Sequence, residues 1–139
     1  MKRASWVAIA AVLFLAVGAA AAMAEESAAP IQMTLYYLAL LHRGAAWTAE
    51  QTPEVKSILE GHMANIRRLA AEGKLILAGP FEGDVELRGL FLLQVGSLQE
   101  AQQLVDSDPA VKAGRFRVEL LPWWGPKGIR VETADPRPR

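Results

Sequence analysis

One histidine of this sequence, His62, occupies a position from which it could move a proton. It lies three residues after Leu59 and four before Ile66, and on a helix this spacing places all three side chains on one face. An imidazole on an apolar face must find a hydrogen-bond partner, and an imidazole held by a partner is a common general acid or base. The alternative is a histidine that only completes a hydrogen-bonded core, and position alone favours this alternative.

Asp108 is the carboxylate that could orient His62. An aspartate directly before a proline, here Pro109, is typical of a helix start and needs no catalytic explanation. The two roles are compatible, because a carboxylate has two oxygens and several acceptor sites. We therefore expect Asp108 to cap a short helical turn, and we hypothesise that it also contacts His62 as the second member of an acid–base pair.

Arginine and tryptophan side chains are the candidates for substrate binding. Four arginines could bind a substrate carboxylate through two parallel hydrogen bonds: Arg43, Arg88, Arg115 and Arg117. We select Arg43 and Arg115, although a solvated strand edge explains any one of the four. Trp123 is expected to line a ligand pocket and Trp124 to pack in an interface, although packing in a core or interface explains both.

The composition excludes several other kinds of site. Cysteine is absent, which excludes disulfides, thiolate metal sites, iron–sulfur clusters and cysteine nucleophiles. The two histidines lack the spacing of metal ligands, and no glycine-rich phosphate loop is present, so we expect no metal and no cofactor. The 15 basic and 15 acidic residues leave no positive excess for nucleic-acid binding. With 139 residues, 52% of them hydrophobic, the chain fits one globular domain.

The elements that must position these residues follow the order β-α-β-β-α-β. Apolar or alternating runs predict strands at residues 33–41, 74–78, 87–95 and 115–121. Residues 52–72 form a helical pattern between a cap at Thr52 and a stop at Gly73, and the capping box Ser97–Glu100 opens a second helix. Two segments should interrupt the strands, His42–Gly44 after the first and Pro122–Pro126 after the last. The order predicts an α+β ferredoxin-like fold with both helices on one face of an antiparallel sheet.

Two surfaces of this fold carry further predictions. The first helix should bury one stripe: Val55, Ile58, Leu59, His62, Met63, Ile66, Leu69 and Ala70. Asn65 falls outside this stripe. The first and third strands are apolar on both sides, which a sheet face in water would not favour. We therefore predict a homodimer in which two sheets pack face to face.

The two ends of the chain differ from its middle. Lys2 and Arg3, an apolar run at 6–17 and the small residues before Glu25 indicate a secretory signal peptide over residues 1–24. The alternative is an uncleaved membrane anchor, the only membrane contact expected. A flexible lead-in at 25–32, a domain at 33–126 and a polar tail at 127–139 would follow. The protein is therefore expected in the periplasm or outside the cell.

An ordered set of short motifs resembles the YCII-related (YciI-like) domain family from about Leu35 to Trp124. The set comprises Gly61-His62, Gly73-Lys74-Leu75, Ala78-Gly79-Pro80, Gly89, Ser97–Ala101 and Asp108–Gly114. The resemblance implies a dimeric α+β barrel with an active site of one histidine and one aspartate, which map onto His62 and Asp108. It also implies muconolactone-type isomerisation or dehalogenation, in which a proton is removed beside a lactone carbonyl. Relatives commonly carry an aromatic residue where Ala110 stands, so that pocket wall is either missing or supplied by Trp123.

Three functions remain open at this point. The first is an exported small enzyme of lyase or isomerase type, in which His62 and Asp108 transfer a proton on a lactone-like or acidic metabolite. The second is a periplasmic ligand-binding or accessory module that uses the same pocket without catalysis. The third is a purely structural interaction domain. We rank them in this order.

Overall fold

The computed structural model describes residues 29–132. The predicted signal peptide, residues 25–28 of the predicted lead-in and residues 133–139 of the predicted tail lie outside the described residues. The fold is that of the unit that begins at Ile31. Within residues 29–132, no helix is both long and apolar enough to cross a bilayer.

The described elements alternate as the sequence predicts. They are β1 (Met33–Arg43), α1 (Pro53–Ala71), β2 (Leu75–Pro80), β3 (Leu87–Leu93), α2 (Leu98–Asp106), α3 (Pro109–Lys112) and β4 (Phe116–Pro126). The four strands form one antiparallel sheet in the order β2-β3-β1-β4. This arrangement confirms the predicted α+β, ferredoxin-like fold.

Local hydrogen bonds set the helix ends where the sequence signals them. Thr52 accepts a hydrogen bond from the Val55 amide at 3.2 Å, and Pro53 occupies the first helical position. Gly73 follows α1 with a φ of +70°, a conformation that glycine adopts without steric cost. Ser97 caps α2 by accepting from the Glu100 amide at 3.1 Å. The Glu100 carboxylate accepts from the Gly96 amide, one residue earlier than in the usual capping box.

The helices pack on one face of the sheet. The buried cluster joins strand residues such as Tyr37, Ala39 and Phe91 to Leu69 of α1 and Val105 of α2. Because side chains alternate along a strand, Tyr36, Leu38 and Leu40 of β1 lie on the opposite face. No described helix packs on that opposite face.

Several predicted strand ends are wrong. β2 runs to Pro80 instead of Ala78, and β3 ends at Leu93 instead of Val95. The two segments that should interrupt the strands are themselves paired. β1 continues through His42 to Arg43, and β4 continues through its two prolines and both tryptophans to Pro126, which pairs with Met33. The prolines are compatible with pairing because β4 is the edge strand of the sheet, where a missing amide proton need not break a ladder bond.

The buried stripe of α1 is also rotated from its predicted position. Asn65 is only 8% exposed, whereas Met63 is 46% exposed and Ala70 is exposed. In the observed orientation of α1, His62 and Asn65, which are three residues apart, face the same neighbouring element. That element is the start of α3, where the site described next is located.

Candidate active site

A close approach between α1 and α3 brings His62 to Asp108. A Cβ atom on Gly61 would lie 3.1 Å from both Cβ and Cγ of Pro109, tighter than ordinary van der Waals contact. Glycine at this position therefore lets the two helices meet. Asp108 caps α3 by accepting from the Ala110 amide at 2.9 Å, so the carboxylate is fixed at the point where α1 passes.

His62 and Asp108 form a direct pair. Nδ1 of His62 lies 2.9 Å from Oδ1 and 3.0 Å from Oδ2 of Asp108. The aspartate side chain is fully buried and the histidine side chain is 12% exposed. The imidazole ring stacks on Phe91 at 5.7 Å and meets Phe116 at 5.4 Å between ring centroids. The ring is therefore held by a carboxylate at one nitrogen and by aromatic packing at its faces.

Asp108 is surrounded by donors that favour its ionised form. Burial acts to raise the pKa of Asp108, and it is opposed by the hydrogen bond and positive charge of His62 and by hydrogen bonds from Asn65 and Ala110. The donors prevail, so the pKa of Asp108 lies below its ordinary value. An ionised carboxylate accepts from Nδ1–H, which leaves the lone pair of a neutral imidazole on Nε2.

Asn65, which is not among the predicted site residues, completes the environment of the carboxylate. Its Nδ2 donates to Oδ2 of Asp108 at 2.8 Å, and its Oδ1 accepts from Arg68 at 2.8 Å. Arg68 in turn pairs with Glu72 at 2.7 Å. The signal available in the sequence was the three-residue spacing from His62, which places two polar side chains on one face of α1.

The free side of the imidazole belongs to a cavity of about 350 Å³. His62 lines it together with apolar side chains from both helix and sheet, among them Leu41, Leu59, Ile66, Phe91 and Phe116. Nε2 has no hydrogen-bond partner among the described residues. The volume falls in the range of small-molecule sites, which runs from roughly 300 to 1,000 Å³. The cavity is therefore of metabolite size, largely apolar, and lined by a histidine whose Nδ1 is held by a carboxylate.

Positive charge lines another part of the same cavity. Arg88, Arg115 and Trp47 are lining residues. Cζ of Arg115 lies 4.3 Å from the centre of the Trp47 ring, and Cζ of Arg88 lies 5.0 Å from it. Arg115 is 5% exposed. The predicted substrate-binding residue Arg115 is thus at the cavity, together with two residues that the sequence analysis did not select.

The other two predicted substrate-binding residues lie outside the cavity lining. Arg43 is near Trp47, with Cζ 5.2 Å from the ring centre, but it is ion-paired to Asp84. Trp123 is on the far face of β4, where its ring lies 5.9 Å from that of Tyr36 and folds over Gly125. Trp123 lies outside the cavity because β4 remains paired with β1 to Pro126, so that alternation along the strand directs its side chain to the face opposite the helices. Phe91, Phe116 and Trp47 supply the aromatic wall instead.

Residues 29–132 contain no cluster of three or more histidine, aspartate or glutamate side chains with metal-site geometry. The second histidine, His42, lies on β1 and its Nε2 is 3.1 Å from a Glu119 oxygen. His42 and His62 belong to opposite faces of the sheet, because β1 alternates and its residues Ala39 and Leu41 face the helices. The candidate chemistry therefore rests on His62.

Comparison with known proteins relates the chain to a family and to two individual proteins. The model of a family described as the YCII-related domain matches residues 35–124. The uncharacterized protein YjpA of Bacillus subtilis (strain 168) is 32% identical over 63 residues, which cover 45% of this chain and 72% of that protein. A solved structure, the 5-chloro-2-hydroxyhydroquinone dehydrochlorinase of Burkholderia phenoliruptrix AC1100 in complex with 2,5-dihydroxybenzoquinone, is 19% identical with a TM-score of 0.45. That alignment covers 65% of this chain and 93% of the dehydrochlorinase.

Proposed function

The chain belongs to the YCII-related domain family, and on that premise we propose that it is a small-molecule enzyme of lyase or isomerase type. His62 transfers the proton and Asp108 positions His62. The observation that carries the proposal is that the two ring nitrogens of His62 have different surroundings. Nδ1 is held by a fully buried carboxylate, whereas Nε2 has no hydrogen-bond partner within residues 29–132 and belongs to a side chain that lines a cavity.

The proposed step is the removal of a proton from a carbon next to a carbonyl group. Nε2 takes the proton, the C–H bond breaks, and its electron pair moves into the carbonyl as an enolate. In an isomerisation the imidazolium returns the proton to another carbon. In an elimination the electron pair instead expels a leaving group from the neighbouring carbon. The charge of Asp108 assists proton removal because it stabilises the imidazolium, and its position assists both proton removal and proton return because it keeps the ring oriented.

The proposal is tested by following hydrogen exchange. The purified protein is incubated in D₂O with γ-lactone and butenolide carboxylates, muconolactone among them, and with simple 2-oxo acids. Proton NMR then records deuterium entering the substrate carbon. We expect catalysed uptake into at least one compound class, together with any product formed. No uptake into any compound that binds would contradict catalysis.

A binding module without catalysis is the second candidate function, favoured by the apolar lining of the cavity. A ligand that binds only the folded state raises the melting temperature. Stabilisation by a compound that shows neither exchange nor turnover would support this second function. It would leave Asp108 with the roles of helix cap and core hydrogen-bond partner.

We also propose that two copies pair through the sheet face opposite the helices. Leu38 of β1 lies on this face, and its register partners Leu92 and Leu121 lie there too. Leu121 and Trp123 are 40% and 38% exposed. Large apolar side chains on the outer face of a sheet indicate a protein partner, and a second copy of the same face supplies matching chemistry.

Replacing Leu121 with aspartate is expected to separate this dimer, because the carboxylate would be buried without a partner. Light scattering after size exclusion should give about twice the chain mass for the wild-type protein and one chain mass for the variant. Leu98→Asp is the matched control, since Leu98 is 46% exposed and begins α2. A monomeric wild-type protein, or a dimeric Leu121→Asp variant, would contradict pairing through this face.

Export is the remaining part of the proposal and rests on the pattern of residues 1–24. We expect the protein in the periplasmic fraction of a bacterial host, with Glu25 as its first residue after cleavage. Mass spectrometry of the intact protein measures this directly. An intact N-terminus in the membrane fraction would favour an anchor, and an intact N-terminus in the cytoplasm would exclude export.

A further inference from the structure

We infer that the cavity binds the carboxylate of its ligand on the guanidinium groups of Arg115 and Arg88, beside Trp47, while the apolar body of the ligand lies toward His62. This inference rests on the proposed function and narrows its substrate to small organic carboxylates. It assigns one end of the cavity to charge recognition and the other to proton transfer.

The first support is uncompensated charge. Among the described residues, no carboxylate lies within 4 Å of the guanidinium group of Arg88 or Arg115, whereas Arg43 beside them is paired with Asp84. Arg88 donates through Nη1 to the carbonyl oxygens of Gly83 and Val85 at 2.7 and 3.2 Å. The guanidinium groups of Arg88 and Arg115 therefore lie in one site with only neutral acceptors. A bound anion would reduce the repulsion between them.

The second support is a set of unused donors. Arg115 is 95% removed from solvent, and its Nη1 donates to the Thr48 carbonyl at 3.0 Å. Its Nη2 has no acceptor among the described residues, and its Nε is shielded from solvent without a partner, as is Nε of Arg43. A buried donor without an acceptor is costly. Nη2 of Arg115 can donate to one oxygen of a ligand carboxylate while Arg88 donates to the other.

The third support is the way the backbone delivers these residues. Leu41 pairs with Gly89 and His42 with Leu87, so Arg88 is the extra residue of a β-bulge. Such a bulge redirects a side chain that regular alternation would send to the other face. Trp47 is held beside Arg115 by a turn whose amides at Gly44 and Ala46 bond to the carbonyls of Arg115 and Gly114, each at 2.9 Å.

The distances fit one compact ligand. The Phe116 ring is 5.4 Å from the His62 ring and 6.0 Å from Cζ of Arg115, so it contacts both ends of the site. Burial and the charge of Arg88 both lower the pKa of Arg115 from its ordinary value, and the group remains cationic at neutral pH because arginine starts so high. A carboxylate on a ring or short chain would span from Arg115 to His62.

Benzoate and its neutral isostere benzamide test the inference. Isothermal titration calorimetry should detect benzoate binding to the wild-type protein and none by benzamide at the same concentration. Arg115→Gln and Arg88→Gln are each expected to weaken benzoate binding roughly 10- to 100-fold, the effect of one charge-assisted pair. Arg88→Gln keeps the test decisive if Arg115→Gln fails to fold, because Arg88 is only half buried.

A control variant and a second assay separate this inference from the acid–base proposal. Arg117→Gln changes an arginine two positions after Arg115 that is 61% exposed at its side chain, and it should leave benzoate affinity unchanged. Deuterium exchange into the compounds named above is measured separately on the wild-type protein and tests proton transfer by His62 without reference to benzoate. Equal binding of benzoate and benzamide, no binding of either, or full affinity in Arg88→Gln would each overturn the carboxylate site. Loss of exchange activity with benzoate binding intact would not.

Discussion

Replacing His62 with glutamine is expected to lower the rate of deuterium exchange by about 10²- to 10⁴-fold, the range for loss of a general acid or base. The glutamine amide can donate to Asp108 as Nδ1 does now, but it cannot accept a proton at neutral pH. The free energy of unfolding should therefore change little while catalysis is lost. Exchange rates by NMR and unfolding in urea, measured on the same preparation, check both statements.

The second histidine supplies a matched control. His42 is also paired with a carboxylate, at 3.1 Å from Glu119, but it lies on the other face of the sheet. His42→Gln should leave the exchange rate unchanged. Equal loss in both variants would point to damage to the fold, and full activity in His62→Gln would show that the proton acceptor is another group.

The order of elements was predictable because its signals are local. Thr52-Pro53, Ser97 with Glu100, and Asp108-Pro109 each satisfy the first amides of a helix from within a few residues. The alternation of β4 likewise shows its buried face from sequence alone. The strand ends were not predictable in this way, because pairing between Pro126 and Met33 depends on β4 being the edge strand, which is a property of the whole sheet.

The residues of the candidate site likewise differ in how far the sequence predicts them. Asp108 is predicted as a helix cap from the proline that follows it, and the helical spacing of His62 places it on a buried face. Their contact is a hypothesis that the family resemblance strengthens, and in the structure the two side chains are hydrogen-bonded. By contrast, Arg88 reaches the cavity only through a bulge in β3, and Trp47 only through a turn bonded to residues 114 and 115. Both depend on contacts between residues distant in sequence, which the sequence pattern does not reveal.

Asp108 should prove the most sensitive position of the domain for stability. Asp108→Ala is expected to lower the free energy of unfolding by about 3 kcal/mol, since it removes a helix cap and leaves the buried Asn65 amide and the His62 ring without their acceptor. Asp106→Ala is the control, because Asp106 is exposed at the end of α2 and should change stability by less than about 0.5 kcal/mol. Urea unfolding followed by circular dichroism measures both.

Asp108→Asn separates the charge of this residue from its shape. Asparagine caps helices as well as aspartate does, so α3 should keep its start. Its amide can instead donate to Nδ1, which would place the imidazole proton on Nε2 and remove the acceptor from the cavity. Exchange should then fall about 10²-fold or more although the protein remains folded.

The pH dependence of stability distinguishes ionisation from packing. The pKa of Asp108 is lower in the folded state than in the unfolded state, where it is about 3.9, so its ionised form stabilises the fold fully above that pH. This contribution is lost as the pH falls through the lower folded value. The stability difference between the wild-type protein and Asp108→Asn should therefore be large at pH 7 and shrink below about pH 4, where the protonated acid resembles the amide. A stability difference between these two proteins that stays constant from pH 7 to pH 2 would show that Asp108 stabilises the domain as a neutral cap. It would contradict the proposal that the charge of Asp108 supports the imidazole of His62.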